Sequence, residues 1–171
     1  TAGGDTNNDG SSTSPAPGDW SSINISDSGQ LSMTYTSLAY GGNSASTADA
    51  ELYLTGNAQA SLDHVSFTSS GYYAVHMYSD VSTHNTRLTM SNSSIQGCPN
   101  TGLFSHASIT SYLSTLNISN STFANNAGDG LYAQNGKYLA LNSNTFANNS
   151  GDGLSVSSAT SVILNDNTFT S

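Results

Sequence analysis

The sequence predicts an all-β solenoid of about six coils, each 23–29 residues long, and three features carry that expectation. The segment STLNISNSTFANNAGDGLYA at 114–133 returns 23 residues later as YLALNSNTFANNSGDGLSV at 138–156. Two apolar residues separated by four others recur six times, as Met33/Leu38, Leu62/Phe67, Met90/Ile95, Ile118/Phe123, Leu141/Phe146 and Leu164/Phe169. Ten to fifteen residues ahead of each lies a short alternating stretch: Ile23/Ile25, Leu52/Leu54, Val75/Met77, Leu103/Ser105, Leu131/Ala133 and Leu154/Val156. Units this short cannot bury a core alone, so they must stack.

Taken in order, each coil supplies three walls. In the first coil, alternation sends Ile23 and Ile25 inward and Asn24 outward, and Met33 and Leu38 begin the second and third walls. Coils two to six repeat that pattern, so the inward columns are Ile23-Leu52-Val75-Leu103-Leu131-Leu154, Met33-Leu62-Met90-Ile118-Leu141-Leu164 and Leu38-Phe67-Ile95-Phe123-Phe146-Phe169. Helical repeats are excluded, because Ser, Asn or Gly breaks every apolar run within a few residues. Variable coil length and long turns point to a right-handed parallel β-helix over 19–171. At a strand spacing of about 4.8 Å, six coils span roughly 29 Å.

Asn144 and Asn167 precede the aromatic wall by two residues, with Asn92 and Asn120 one place earlier in their coils. Asn tolerates a sharp left-handed turn, and its amide can bond to the next coil, which predicts an internal asparagine ladder. The column Ser37, Ser66, Ser94, Thr122, Thr145, Thr168 reads the same way.

GDGLYAQNGKYLALNSNTFANNSGDGLSV resembles the right-handed parallel β-helix family with the pectin-lyase-like fold, whose repeats follow G-(I/L)-x-(V/A)...(I/L)-x-x-N-x-F-x-x-N. The looser coils extend the likeness over about 19–171, and GGDTNNDGSSTSPAPGDWSSI resembles a segment of bacterial surface β-helix proteins in which a loop precedes a Trp-bearing strand. The resemblance implies architecture far more than activity. It brings polysaccharide hydrolases and lyases into view, yet their Gly-His-Gly and Arg-x-Lys signatures are missing from this sequence.

Composition narrows the function classes. With 2 Lys or Arg against 11 Asp or Glu and a formal charge of -9, the chain lacks the basic surface that nucleic acid or anionic lipid requires. Charged residues make up only 8%, replaced by Ser, Thr and Asn rather than by the residues of disordered chains, which predicts an ordered, uncharged surface. Cys98 is the single cysteine, and no apolar run is long enough for a membrane span. The chain starts at Thr1 without an initiator Met, as expected of a segment processed or cut from a longer precursor.

Three groups of residues are candidates for chemistry. The outward positions of the first sheet are Glu51, Tyr53 and Thr55, then His76 and Tyr78, then Phe104 and His106, then Tyr132 and Gln134. Tyr53, His76, Tyr78, Phe104, His106 and Tyr132 would form an aromatic strip suited to a flat-faced ligand such as a sugar, unless loops 79–86 and 106–114 fold over it. Asp129 and Asp152 stand one coil apart in identical Gly-Asp-Gly turns; a carboxylate pair is the geometry of an acid and a base, and equally of a repeated turn residue. Asp5-Thr6-Asn7-Asn8-Asp9-Gly10 places oxygens at positions one, three and five and Gly at six, the pattern of a calcium loop within residues 1–18. Its twelfth position is Ala16 instead of a bidentate Glu, so Asp5, Asn7 and Asp9 would hold Ca²⁺ with help from Asp19 or Asp27.

These readings converge on an extracellular, non-enzymatic module of a bacterial surface protein: a rigid structural or adhesive element that binds glycans or associates end to end, head to tail. The alternative is a polysaccharide lyase or hydrolase fragment using the first-sheet groove.

Overall fold

A computed structural model describes residues 12–43, 49–79, 83–107, 114–136 and 138–171. Among them there is no helix, and eighteen strands form three six-stranded sheets. Asp5, Asn7 and Asp9 lie outside the described residues, and so do 80–82 and 108–113 of the two long loops.

Each coil contributes one strand per sheet. The first sheet holds β1 (Ile23–Ile25), β4 (Ala50–Thr55), β7 (Tyr73–Ser79), β10 (Leu103–Ala107), β13 (Leu131–Gln134) and β16 (Leu154–Ser157). The second holds β2 (Gln30–Thr34), β5 (Gln59–Asp63), β8 (Arg87–Ser91), β11 (Thr115–Ser119), β14 (Tyr138–Asn142) and β17 (Ser161–Asn165). The third holds β3 (Ser37–Ala39), β6 (Ser66–Thr68), β9 (Ser94–Gln96), β12 (Thr122–Ala124), β15 (Thr145–Ala147) and β18 (Thr168–Thr170). All pairing is parallel, and it joins Ile23 to Leu52, Leu52 to Val75, Met90 to Ile118 and Phe123 to Phe146, so the three inward columns are those expected from the repeat.

The core they enclose is one continuous hydrophobic cluster. Leu52, Val75, Leu62, Met90, Phe67, Ile95 and Leu103 have no more than 1% of their surface exposed. Phe123, Phe146 and Phe169 stack face to face with centroids 5.0 and 4.9 Å apart. Burying one such side chain contributes about 1.5–3 kcal/mol, and each coil repeats the gain.

Corners would interrupt the hydrogen-bond ladder, and two devices prevent it. Between the second and third sheets Tyr35, His64, Asn92, Asn120, Ser143 and Asp166 all take positive φ of 48–55°. Their N–H groups, from Tyr35 to Ser143, still donate to a carbonyl of the next coil. This conformation disfavours residues with a Cβ by roughly 1–2 kcal/mol, and the retained bonds offset it. Asp63 braces the same corner, accepting from Ser91 and Asn92 at 2.8 Å and pairing with His64 at 3.0 Å. The bonds from Asn92 and Ser91 hold its carboxyl down at about 2.

The second device is side-chain bonding along the axis. Asn144 Nδ2 donates to Asn167 Oδ1 at 3.0 Å and to the Ile118 carbonyl, while Asn144 Oδ1 accepts from the Ser121 N–H at 2.9 Å. Asn126 and Asn149 build a second ladder beside the third sheet, with the Cys98 N–H donating to Asn126 Oδ1. In the earlier coils Ser121 and Ser93 continue the first ladder with their hydroxyls. Asn92 and Asn120 are therefore not ladder members; they are the exposed left-handed residues of the corner. The Ser37-to-Thr168 column also differs from expectation, lying on the outer face of the third sheet, because strand alternation places it opposite the inward rings.

Alternation also fails where the first-sheet strands leave the corner. Ala74 joins the core, Tyr73 lies outside, and Glu51, expected outward beside it, is fully buried. Oε1 of Glu51 accepts from the Gly41 N–H at 3.1 Å, whereas Oε2 has no partner among the described residues. Burial therefore pushes its carboxyl up to about 7, and together with the nearby Glu51 charge it pushes the Cys98 thiol up to about 12.

The pH consequence follows by linkage. A carboxyl whose pKa is raised on folding binds its proton more tightly in the native state, so stability is complete below about pH 4.5 and falls as pH rises to about 7. The loss is about 3 kcal/mol at 1.4 kcal/mol per unit. Glu51→Gln keeps the acceptor without the charge, and its denaturation midpoint should stay level between pH 5 and 7.5 while that of the parent falls. Parallel pH profiles for the two proteins would refute the assignment.

Candidate functional site

The outer face of the first sheet gathers most of the aromatic side chains. Alternation sends Tyr53, His76, Phe104 and Tyr132 outward, and strand pairing sets them in one column. Tyr78 and His106 share the neighbouring outward column, followed by Gln134 and Ser157. All six expected residues thus stand together on one face, half-buried except for His76, which is 8% exposed.

The rings are stacked on one another rather than spread flat. His76 lies on Phe104 at 5.0 Å with 23° between planes, and Phe104 lies on Tyr132 at 5.4 Å, also at 23°. Tyr78 lies on His106 at 5.3 Å, and Tyr53 meets His76 edge-on at 5.1 Å. Both faces of Phe104 are covered by neighbouring rings. Offset stacking of this kind adds about 0.5–1.5 kcal/mol per pair beyond area burial.

Sequence reasoning missed three members. Asp49 Oδ1 sits 2.6 Å from His76 Nδ1, which places the proton on Nδ1 and leaves Nε2 as an acceptor when the ring is neutral. That Nε2 is buried and has no partner among the described residues. Tyr73 touches both His76 and Phe104, and Tyr72 packs edge-on against Tyr73 at 4.5 Å. Burial and the Tyr72 phenol raise the Tyr73 pKa, while burial and the His76 charge lower that of His106. Strict alternation puts Tyr73 inward with Val75, and Asp49 precedes its strand, so neither carried a periodic signal.

Asp129 and Asp152 stand in successive Gly-Asp-Gly turns, outside the aromatic strip's strands. Asp129 Oδ1 accepts from the Asp152 N–H at 2.8 Å, a bond that ties one Gly-Asp-Gly turn to the next. Asp152 is exposed. Asp19 Oδ2 accepts from the Ala16 N–H at 2.8 Å, and Asp27 occupies a left-handed turn at φ 55°. Among the described residues no three His, Cys, Asp or Glu side chains are grouped as a metal site would need. A shallow depression of about 470 Å³ on the second sheet is lined by uncharged Gln30, Ser32, Gln59, Ser61 and Thr89, with Arg87 at its side.

Phe104 is the keystone of the strip, touching four other rings. Phe104→Ala should lower stability by about 2 kcal/mol, part of it from lost stacking, whereas Tyr53→Ala at the margin should cost less than half as much. Chemical denaturation of both variants measures this, and equal costs would show that the rings act independently.

No curated protein and no solved structure matches the chain. Residues 21–171 match the family described as "Right handed beta helix region". The match covers every strand described above, and the parallel three-sheet coil is the architecture that description names. The chain belongs to the right-handed β-helix family.

Proposed function

We propose that this chain is a non-enzymatic module of an extracellular bacterial surface protein, a rigid rod whose first sheet contacts glycans. The observation that carries the reading is the aromatic face built by Tyr53, His76, Tyr78, Phe104, His106 and Tyr132 on a six-stranded parallel sheet, half-buried except at His76. Amphipathic rings with polar edges are the side chains that bind sugars and anchor adhesive contacts. An uncharged Ser, Thr and Asn surface with only 2 Lys or Arg also supports an exposed setting.

The polysaccharide-cleaving alternative draws on one observation, the imidazole of His76 oriented by Asp49. Its Nε2 is buried beneath neighbouring rings, which weighs toward a structural pair. The engagement of Asp129 with the backbone of Asp152 weighs the same way.

End-to-end association is the second contact of the proposed rod. In the last coil the inward side chains Val156, Val162, Leu164 and Phe169 are 37–49% exposed, whereas their counterparts one coil earlier are nearly fully buried. A further layer of strands is what such a surface accepts, whether from additional coils of a longer chain or from a second copy, and stacking copies head to tail gives filaments rather than closed dimers.

Two measurements test the proposal. A glycan array and a polysaccharide-cleavage screen on one sample should give binding without cleavage. Cleavage lost in His76→Ala would establish the enzyme instead, and neither signal would leave only the spacer role. Sedimentation over a concentration series should show growing species, with Leu164→Asp restoring the monomer; a parent that stays monomeric throughout removes self-association.

A further inference from the structure

We propose that the aromatic ladder of the first sheet ends in one open rung, and that this rung binds a neutral, gluco-configured pyranose ring. The inference rests on the glycan-binding reading above and gives it a location and a sugar class.

Along the column each ring is followed by another at 5.0–5.4 Å: His76, then Phe104, then Tyr132. Among the described residues Tyr132 makes a ring contact on one side only, with Phe104. In register on its other side stands Ser155, whose side chain is far too small to occupy a ring-sized space. The ladder therefore stops one coil before the strands do, and among the described residues no ring stacks on the face of Tyr132 over Ser155.

The surroundings of that face decide what fits. Gln134 stands outward two residues beyond Tyr132, and Ser157 is in register with Gln134. The side chains of Gln134, Ser155 and Ser157 make no hydrogen bond among the described residues and are all half-buried. An apolar face bordered by one amide and two hydroxyls suits a ring with C–H bonds on its faces and hydroxyls around its rim. Gluco-configured pyranoses have that shape, because all their substituents are equatorial. A partner's aromatic side chain would stack equally well but leave the three polar groups unpaired. No Lys or Arg lies on these strands, and the chain carries a net charge of -9, so uronates and sulfated sugars are disfavoured.

Cellohexaose is the probe. Titrated into the isotope-labelled chain, it should shift the amide signals of Tyr132, Gln134, Ser155 and Ser157 and leave those around Tyr53 unmoved. Tyr132→Ala should weaken binding about tenfold, the loss expected from one stacking contact. Ser155→Tyr should weaken it as much while holding or raising the melting temperature, since a tyrosine there completes the ladder instead of removing part of it. Cellohexaose binding that survives Ser155→Tyr but is lost in Tyr53→Ala would overturn the rung while leaving the glycan-binding reading intact. Array binding confined to acidic glycans, with none to cellohexaose, would overturn the sugar class alone. Binding to no glycan would remove both.

Discussion

Every coil passes its backbone hydrogen bonds to the coil on either side, and that single requirement organises the molecule. A strand paired in parallel with its counterpart above and below must keep the same register through every layer, so Ile23, Leu52, Val75, Leu103, Leu131 and Leu154 line up whether or not the intervening turns match in length. Turn length varies from coil to coil while the register of the paired strands is kept. The same requirement makes corners the expensive places. There the chain must turn sharply while still donating to the next coil, and the left-handed residues from Tyr35 to Ser143 accomplish both.

Columns turn one residue choice into a repeated interaction. An Asn at an inward corner position is costly alone, since a buried amide needs partners. Stacked as Asn144 on Asn167, or Asn126 on Asn149, it finds one in the next layer and another in a backbone carbonyl. Phenylalanines in the core and the mixed Tyr, His and Phe column outside gain from the same geometry, because strand spacing nearly equals ring-stacking distance. The outer ladder consequently does two things at once. It ties coils two to five together, and it gathers half-buried aromatic side chains on one face of the molecule.

The buried polar groups show where this economy is incomplete. Glu51 has one oxygen paired and one orphaned, and His76 has one nitrogen paired with Asp49 and the other without a partner. Glu51 sits where β4 leaves the corner and the in-out alternation is lost, whereas His76 lies within β7 and in register with Tyr53 and Phe104. Irregular backbone supplies fewer matched partners than a ladder does, which accounts for the orphaned Glu51 oxygen, while the His76 nitrogen is shut in by the rings around it.

The sequence by itself determined the number of coils, the three inward columns and the outward aromatic set, because a two-residue alternation and a recurring coil length are one-dimensional signals that survive without coordinates. It also identified Asn144 and Asn167 as ladder residues from their spacing to the aromatic wall. Only the tertiary structure decided what depended on the turns. Asn92 and Asn120 proved to be corner residues one step off the ladder, since side-chain register inside a turn does not follow alternation. Glu51 moved from the surface to the interior, Tyr73 moved from the expected interior to the ring cluster, and Asp49 arrived beside His76 from beyond its strand's start. The orientation of the rings, stacked on one another, was likewise invisible in sequence, because ring orientation is set by neighbours one coil away in space and 23 to 29 residues away along the chain.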